Sequence, residues 1–141
     1  MSILVRIIRL QDEPKSESTD TCMKYLCLMY LDETAGLNVP QDAIDKGIAE
    51  CRAFFDAIQQ NGHLLGRNTL QPTRTATTVR VRDGKTFTTD GPFAETKEQL
   101  GGYFLIEARD LNEAIRVAAG FPGACWGCVE VRPINEMPRP K

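Results

Sequence analysis

The residues best suited to chemistry begin at Asp90-Gly91-Pro92-Phe93. A carboxylate directly ahead of a Gly-Pro bend can act as a general base or orient a substrate, and the N–H groups of the bend can face an anion. The same four residue types also make a purely structural turn. In that reading Asp90 accepts N–H bonds, Gly91 takes an unusual φ, Pro92 sets the bend and Phe93 plugs the core. Glu95, Lys97 and Glu98 follow at the spacing of a single helical turn. Glu95 would bring a second carboxylate and Lys97 a cation to the same cleft; the competing account is a solvated cluster with weak pairing, worth ~0–1 kcal/mol.

Glu130 and Arg132 alternate with Val129 and Val131 near the end of the chain, the pattern of a strand with one apolar face. If the valines face helices, Glu130 and Arg132 share the opposite side of the sheet. There they either hold a polar ligand or form a mutually satisfied ion pair that sets an interface. Tyr103 can offer a hydroxyl to the same space, with core packing as the alternative. Cys125-Trp126-Gly127-Cys128 has C-x-x-C spacing, but redox pairs of this kind usually open a helix, whose N-terminus lowers the first thiol's pKa. This one lies between a helix end and a strand. Cys22, Cys27, Cys51 and His63 stand at no metal-ligand spacing to it. Neither a metal nor another cofactor is expected. His63, the single histidine, is either catalytic or an ordinary strand-edge residue.

Several elements must position these groups. Tyr25 to Leu31 is continuously apolar, as in a strand buried on both faces. Spacing predicts a helix over Gln41–Gln60 with Ile44, Ile48, Cys51, Phe55 and Ile58 as its buried stripe, Pro40 at its start and Asn61-Gly62 at its end. A short strand at His63–Leu65 follows. Thr77–Arg82 alternates, Asp83-Gly84 signals a two-residue hairpin turn, and Lys85–Thr88 returns. Tyr103–Ala108 is another apolar strand. Asp110 and Glu113 form a capping box for a second helix whose stripe is Leu111, Ala114, Ile115 and Ala118. Cys128–Arg132 is the last strand. The fold class is therefore α+β, a ferredoxin-like βαββαβ plait with an extra β-hairpin between its halves. Two helices cover one face of such a sheet, and a second copy of the chain is the economical cover for the other.

Composition narrows the function classes. Seventeen basic and 19 acidic residues give a net charge of −2, with no Lys/Arg cluster, so a nucleic-acid partner is not expected. No apolar run approaches the ~18 residues of a membrane span. Five irregularly spaced cysteines make no disulfide framework, and a cytoplasmic location is expected. The polar stretch Gln11–Thr21 reads as a flexible segment, which sets residues 1–22 apart as an extension before a domain at 23–134 and a tail at 135–141. Met23 is then either the physiological start or an internal methionine, with Ile3–Ile8 adding an edge strand in the second case.

The segment Arg82–Ile106, RDGKTFTTDGPFAETKEQLGGYFLI, resembles the DGPF-motif branch of the YCII-related family. The likeness runs from MKYLCLMYLDE at Met23 to VEVRPI at Ile134 and is strongest in Thr89–Glu98, Gly101-Gly102 and Glu130–Pro133. It implies a ferredoxin-like subunit paired into a dimeric α+β barrel with a cleft at the interface. The wider family includes proteins similar to muconolactone isomerases, where a histidine of the first helix and an aspartate before a proline after the second form the proposed acid–base pair. This chain has no histidine in 41–60 and has Phe121-Pro122 at the second place, so neither residue carries over.

These expectations combine into a homodimer whose cleft takes a small-molecule ligand. Acid–base chemistry on a small organic acid or lactone would use Asp90 and Glu95. Gly91, Pro92, Phe93, Tyr103, Glu130 and Arg132 would bind the substrate. The alternative is a non-catalytic ligand-binding or regulatory module with an extracytoplasmic-function sigma factor as partner, since genes of the resembling branch often accompany such factors.

Overall fold

A computed structural model describes residues 21–138. The expectations for Ile3–Ile8 and for the polar stretch Gln11–Thr21 up to Asp20 lie outside the described residues. From Met23 the order is β1 (Met23–Leu31), α1 (Gln41–Gln60), β2 (Leu64–Thr69), β3 (Thr77–Arg82), β4 (Lys85–Asp90), β5 (Gln99–Ala108), α2 (Leu111–Ala119) and β6 (Cys128–Pro133). The main sheet runs β2-β5-β1-β6, with every neighbouring pair antiparallel. β3 and β4 form a two-stranded sheet of their own. This is the expected plait with its inserted hairpin.

Both helices lie on one side of the sheet. Tyr25, Cys27 and Met29 of β1 alternate into the core with Phe104, Ile106 and Ala108 of β5, and Val129 and Val131 of β6 pack against them. Phe54, Phe55, Phe104 and Phe121 form an aromatic knot with centroids 5.1–5.9 Å apart, mostly edge to face, the arrangement that ring quadrupoles favour. The expectation that β1 is buried on both faces is corrected. Leu26, Leu28 and Tyr30 remain half-buried on the helix-free side.

The helix stripes shift in the same way. In α1 the buried residues are Phe54, Phe55, Ala57 and Ile58, while Ile44 and Ile48 are exposed. Periodicity defines a stripe but not which part of it lies over the sheet, and here only the second half does. In α2 Val117 joins Ala114 and Ala118 inside, and Leu111 and Ile115 face out.

α2 starts as its sequence suggests. Asp110 is extended, its Oδ1 accepts the Glu113 N–H at 2.8 Å, and Glu113 reaches back to the Arg109 N–H, one residue before the cap. The Glu113 N–H, foremost, holds the Asp110 carboxyl below its ordinary value. A carboxyl with a depressed folded pKa stabilises above its unfolded pKa, about 3.9, and that contribution is lost as pH falls through the lower folded value. Asp110→Asn keeps an acceptor without the charge. Thermal melts at neutral pH are expected to place the variant a few degrees below the parent chain, and melts in acid to close the gap.

The hairpin turn has positive φ at Asp83 (51°) and Gly84 (72°), as a two-residue turn between twisted strands requires. Its base is tied down by Glu33, whose carboxylate accepts from the Thr73 N–H and hydroxyl, each at 2.8 Å. Beyond that base Val79, Val81 and Phe87 are all more than half exposed. A two-stranded hairpin is marginal by itself in water.

Candidate functional site

β-pairing arranges the helix-free face in rows. Asn68, Tyr103, Leu28 and Glu130 lie side by side across the four strands. Leu105, Leu26 and Arg132 form the next row, and Leu100, Tyr30 and Cys128 flank the first on its other side. Asn68 Nδ2 donates to the Tyr103 hydroxyl at 2.9 Å. Tyr103 is therefore a half-buried member of this face and not of the core. Arg132 and Glu130 pair at 2.7 Å, each still substantially exposed.

Glu98 joins this face unannounced. Met29 pairs with Gly102 but Tyr30 with Leu100, so Gly101 is an extra residue and the side-chain phase of β5 flips there. The flip puts Leu100 opposite Tyr30, and Glu98 lies beside Cys128, whose thiol donates to Glu98 Oε2 at 3.8 Å. Burial first, then the Glu98 and Glu130 carboxylates, push the Cys128 thiol up. That is the reverse of the activation a thiol–disulfide centre needs. Cys125 and Cys128 are both free and exposed.

The Asp90–Phe93 turn is built differently from the structural expectation. Gly91 does take φ 96°, its N–H donates to the Ala76 carbonyl at 2.7 Å, and its own carbonyl accepts from Thr78 Oγ1 at 2.9 Å. Yet the Asp90 carboxylate accepts no hydrogen bond among the described residues, and Phe93 is 81% exposed instead of plugging the core. Glu95 and Lys97 lie in an irregular segment, not a helical turn. The single chain thus brings together Tyr103, Glu130 and Arg132 but leaves Asp90, Gly91, Pro92, Phe93 and Glu95 apart from them, on and after the hairpin.

His63 is accounted for structurally. It is buried, and its Nδ1 lies 2.9 Å from the Glu107 carbonyl, to which it donates. Its backbone N–H reaches the Ile58 carbonyl, and its own carbonyl accepts the Glu107 N–H at 2.8 Å. Among the described residues no group of three or more His, Cys, Asp and Glu side chains is placed to hold a metal ion, and no helix is long and apolar enough to cross a membrane.

An antiparallel plait with one bare, polar-edged sheet face is a scaffold shared by many small domains, so the sequence comparisons decide the class. The YCII-related domain profile matches residues 23–138, and the chain belongs to that family. An uncharacterized protein of Rhizobium meliloti (strain 1021) is 36% identical over 114 residues, covering 79% of this chain and 92% of that protein.

Proposed function

We propose that this YCII-related chain, of the DGPF-motif branch, works as a cytoplasmic homodimer in which two helix-free faces close over a small-molecule cleft. The chemistry proposed there is cofactor-free proton transfer on a small organic acid or lactone. Asp90 and Glu95 handle the proton, Gly91, Pro92 and Phe93 frame the cleft, and Tyr103, Glu130 and Arg132 hold the substrate, with Arg132 on its anionic group. The observation that carries this reading is the surface one subunit leaves bare. Leu26, Leu28, Tyr30 and Leu105 are only half-buried, and Phe93 is 81% exposed. Covering apolar surface contributes ~25 cal/mol per Å², and a second copy supplies a complementary face of the same kind. The partner's hairpin and the turn after it would bring Asp90 and Glu95 to Tyr103, which one chain alone does not do.

Sedimentation across micromolar concentrations is expected to give a dimer; a well-folded monomer throughout would remove the cleft. Asp90→Asn is expected to abolish turnover or ligand binding while shifting the melting temperature by no more than a degree or two, since its carboxylate accepts no hydrogen bond among the described residues. A large stability loss with binding intact would make Asp90 a structural residue. A pull-down that recovers a sigma factor, alongside a metabolite screen that recovers nothing, would instead favour the regulatory module.

A further inference from the structure

A second cleft, of about 280 Å³, opens where β2 meets β5 and is lined by Met29, Phe55, Arg67, Asn68, Thr69 and Tyr103. We propose that it is a binding site for small carboxylates. All six residues belong to one chain, so the site goes beyond the dimer cleft and does not depend on it.

The argument starts from Arg67. Its guanidinium carbon sits 4.3 Å from the centroid of the Phe55 ring. A guanidinium over an aromatic face keeps its in-plane N–H fork free, because the ring engages its flat side and not its edges. No carboxylate of the described residues pairs with Arg67, while Lys24, Arg109 and Arg132 each have one. Arg67 is thus placed against a ring and has no carboxylate partner among the described residues.

The rest of the lining matches the same ligand. Asn68 and Tyr103, whose side chains bond to each other at 2.9 Å on the helix-free face, border the cleft without turning those groups into it, so Arg67 and the Thr69 hydroxyl are its side-chain donors. Met29 and Phe55 supply the apolar wall. Gly102 of β5, paired with Met29 on one side and Thr69 on the other, keeps the wall close. A Cβ there would meet the Met29 Cε at 2.6 Å and the Asn68 carbonyl oxygen at 2.8 Å. Two side-chain donors with no carboxylate beside them in the lining suit an acceptor-only head, which is a carboxylate. A volume just below the usual ~300–1,000 Å³ suits a ligand about the size of benzoate.

The test uses the full chain and NMR titration with benzoate and, separately, its neutral counterpart benzamide. Benzoate is expected to saturate with Kd on the order of 1 mM or below, perturbing the signals of Arg67, Asn68 and Tyr103, and benzamide to bind at least tenfold more weakly. Arg67→Gln is expected to cost tenfold or more in benzoate affinity. Arg67→Lys, which keeps the charge but loses the fork, should fall between. Thr69→Val tests the second donor, with an expected several-fold loss. Equal binding of benzoate and benzamide overturns the proposal, as do undiminished benzoate binding by both Arg67 variants or no saturable shift at tens of millimolar. Dilution to monomer should leave benzoate binding unchanged, which separates this site from the dimer cleft.

Discussion

Phe54→Ala is expected to remove about 3–5 kcal/mol of stability, read as a lower urea midpoint at an unchanged slope. Phe54 is fully buried and touches the rings of Phe55, Phe104 and Phe121 at centroid distances of 5.1, 5.8 and 5.7 Å. One side chain thereby ties α1 to the centre of β5 and to the turn that leads into β6. Truncation loses the transfer energy of the ring and leaves a cavity whose walls come from three different elements, which cannot all move inward. A domain holds only ~5–15 kcal/mol in total, so the variant should be partly unfolded at modest temperature. Ile48→Ala is the internal control. It lies on the stripe that α1 presents by periodicity but is 48% exposed, and its loss should stay near or below about 1 kcal/mol. Equal losses at the two positions would contradict the packing described for α1.

The second large effect is expected at Gly127→Ala, about 3 kcal/mol or more. A Cβ at this position would run into the Tyr30 carbonyl oxygen, with the Tyr30 carbonyl carbon at 2.9 Å and the Leu31 Cα at 3.1 Å. These are backbone atoms of a central strand, so no rotamer change relieves the clash. β6 must move away from the end of β1, where Tyr30 pairs with Cys128. Hydrogen exchange should show this first as lost protection in β6 and the adjoining half of β1, ahead of α1. Because β6 also carries Glu130 and Arg132, binding at the helix-free face should decline together with stability. At Gly66 a Cβ meets nothing within 4 Å, and Gly66→Ala should change stability by less than about 1 kcal/mol. Protection in β6 that survives Gly127→Ala would show that the strand tolerates the shift.

Much of the scaffold was legible before any coordinates because its signals are local. Helix α1 runs over Gln41–Gln60 and strand β3 over Thr77–Arg82, both with the bounds expected from periodicity. The Asp83-Gly84 turn and the Asp110 cap are likewise written in residue types that few other conformations suit. Strand β5 begins at Gln99, four residues earlier than its apolar run suggested. Glycines weaken a strand signal, and Gly101-Gly102 hid that start.

The candidate site was only partly legible. Alternation placed Glu130 and Arg132 on the face opposite Val129 and Val131, which is where they lie. Glu98 was read with Glu95 and Lys97 and not with this face, because its side of the sheet depends on one extra residue at Gly101, and a single-residue slip inverts every side chain beyond it. Arg67 and Asn68 escaped because nothing in LLGRNT marks an arginine that will lie over a phenylalanine from another element.

The amino-acid order alone determined which segments become strands and helices, their succession as a plait, and the turns between them, since those follow from periodicity and turn chemistry within a few residues. Tertiary structure alone decided which half of the α1 stripe is covered, that Phe93 points to solvent, and that Arg67 meets Phe55 beside Tyr103. Each of those depends on how distant elements cross and in what register they pair, and no short-range pattern encodes a crossing.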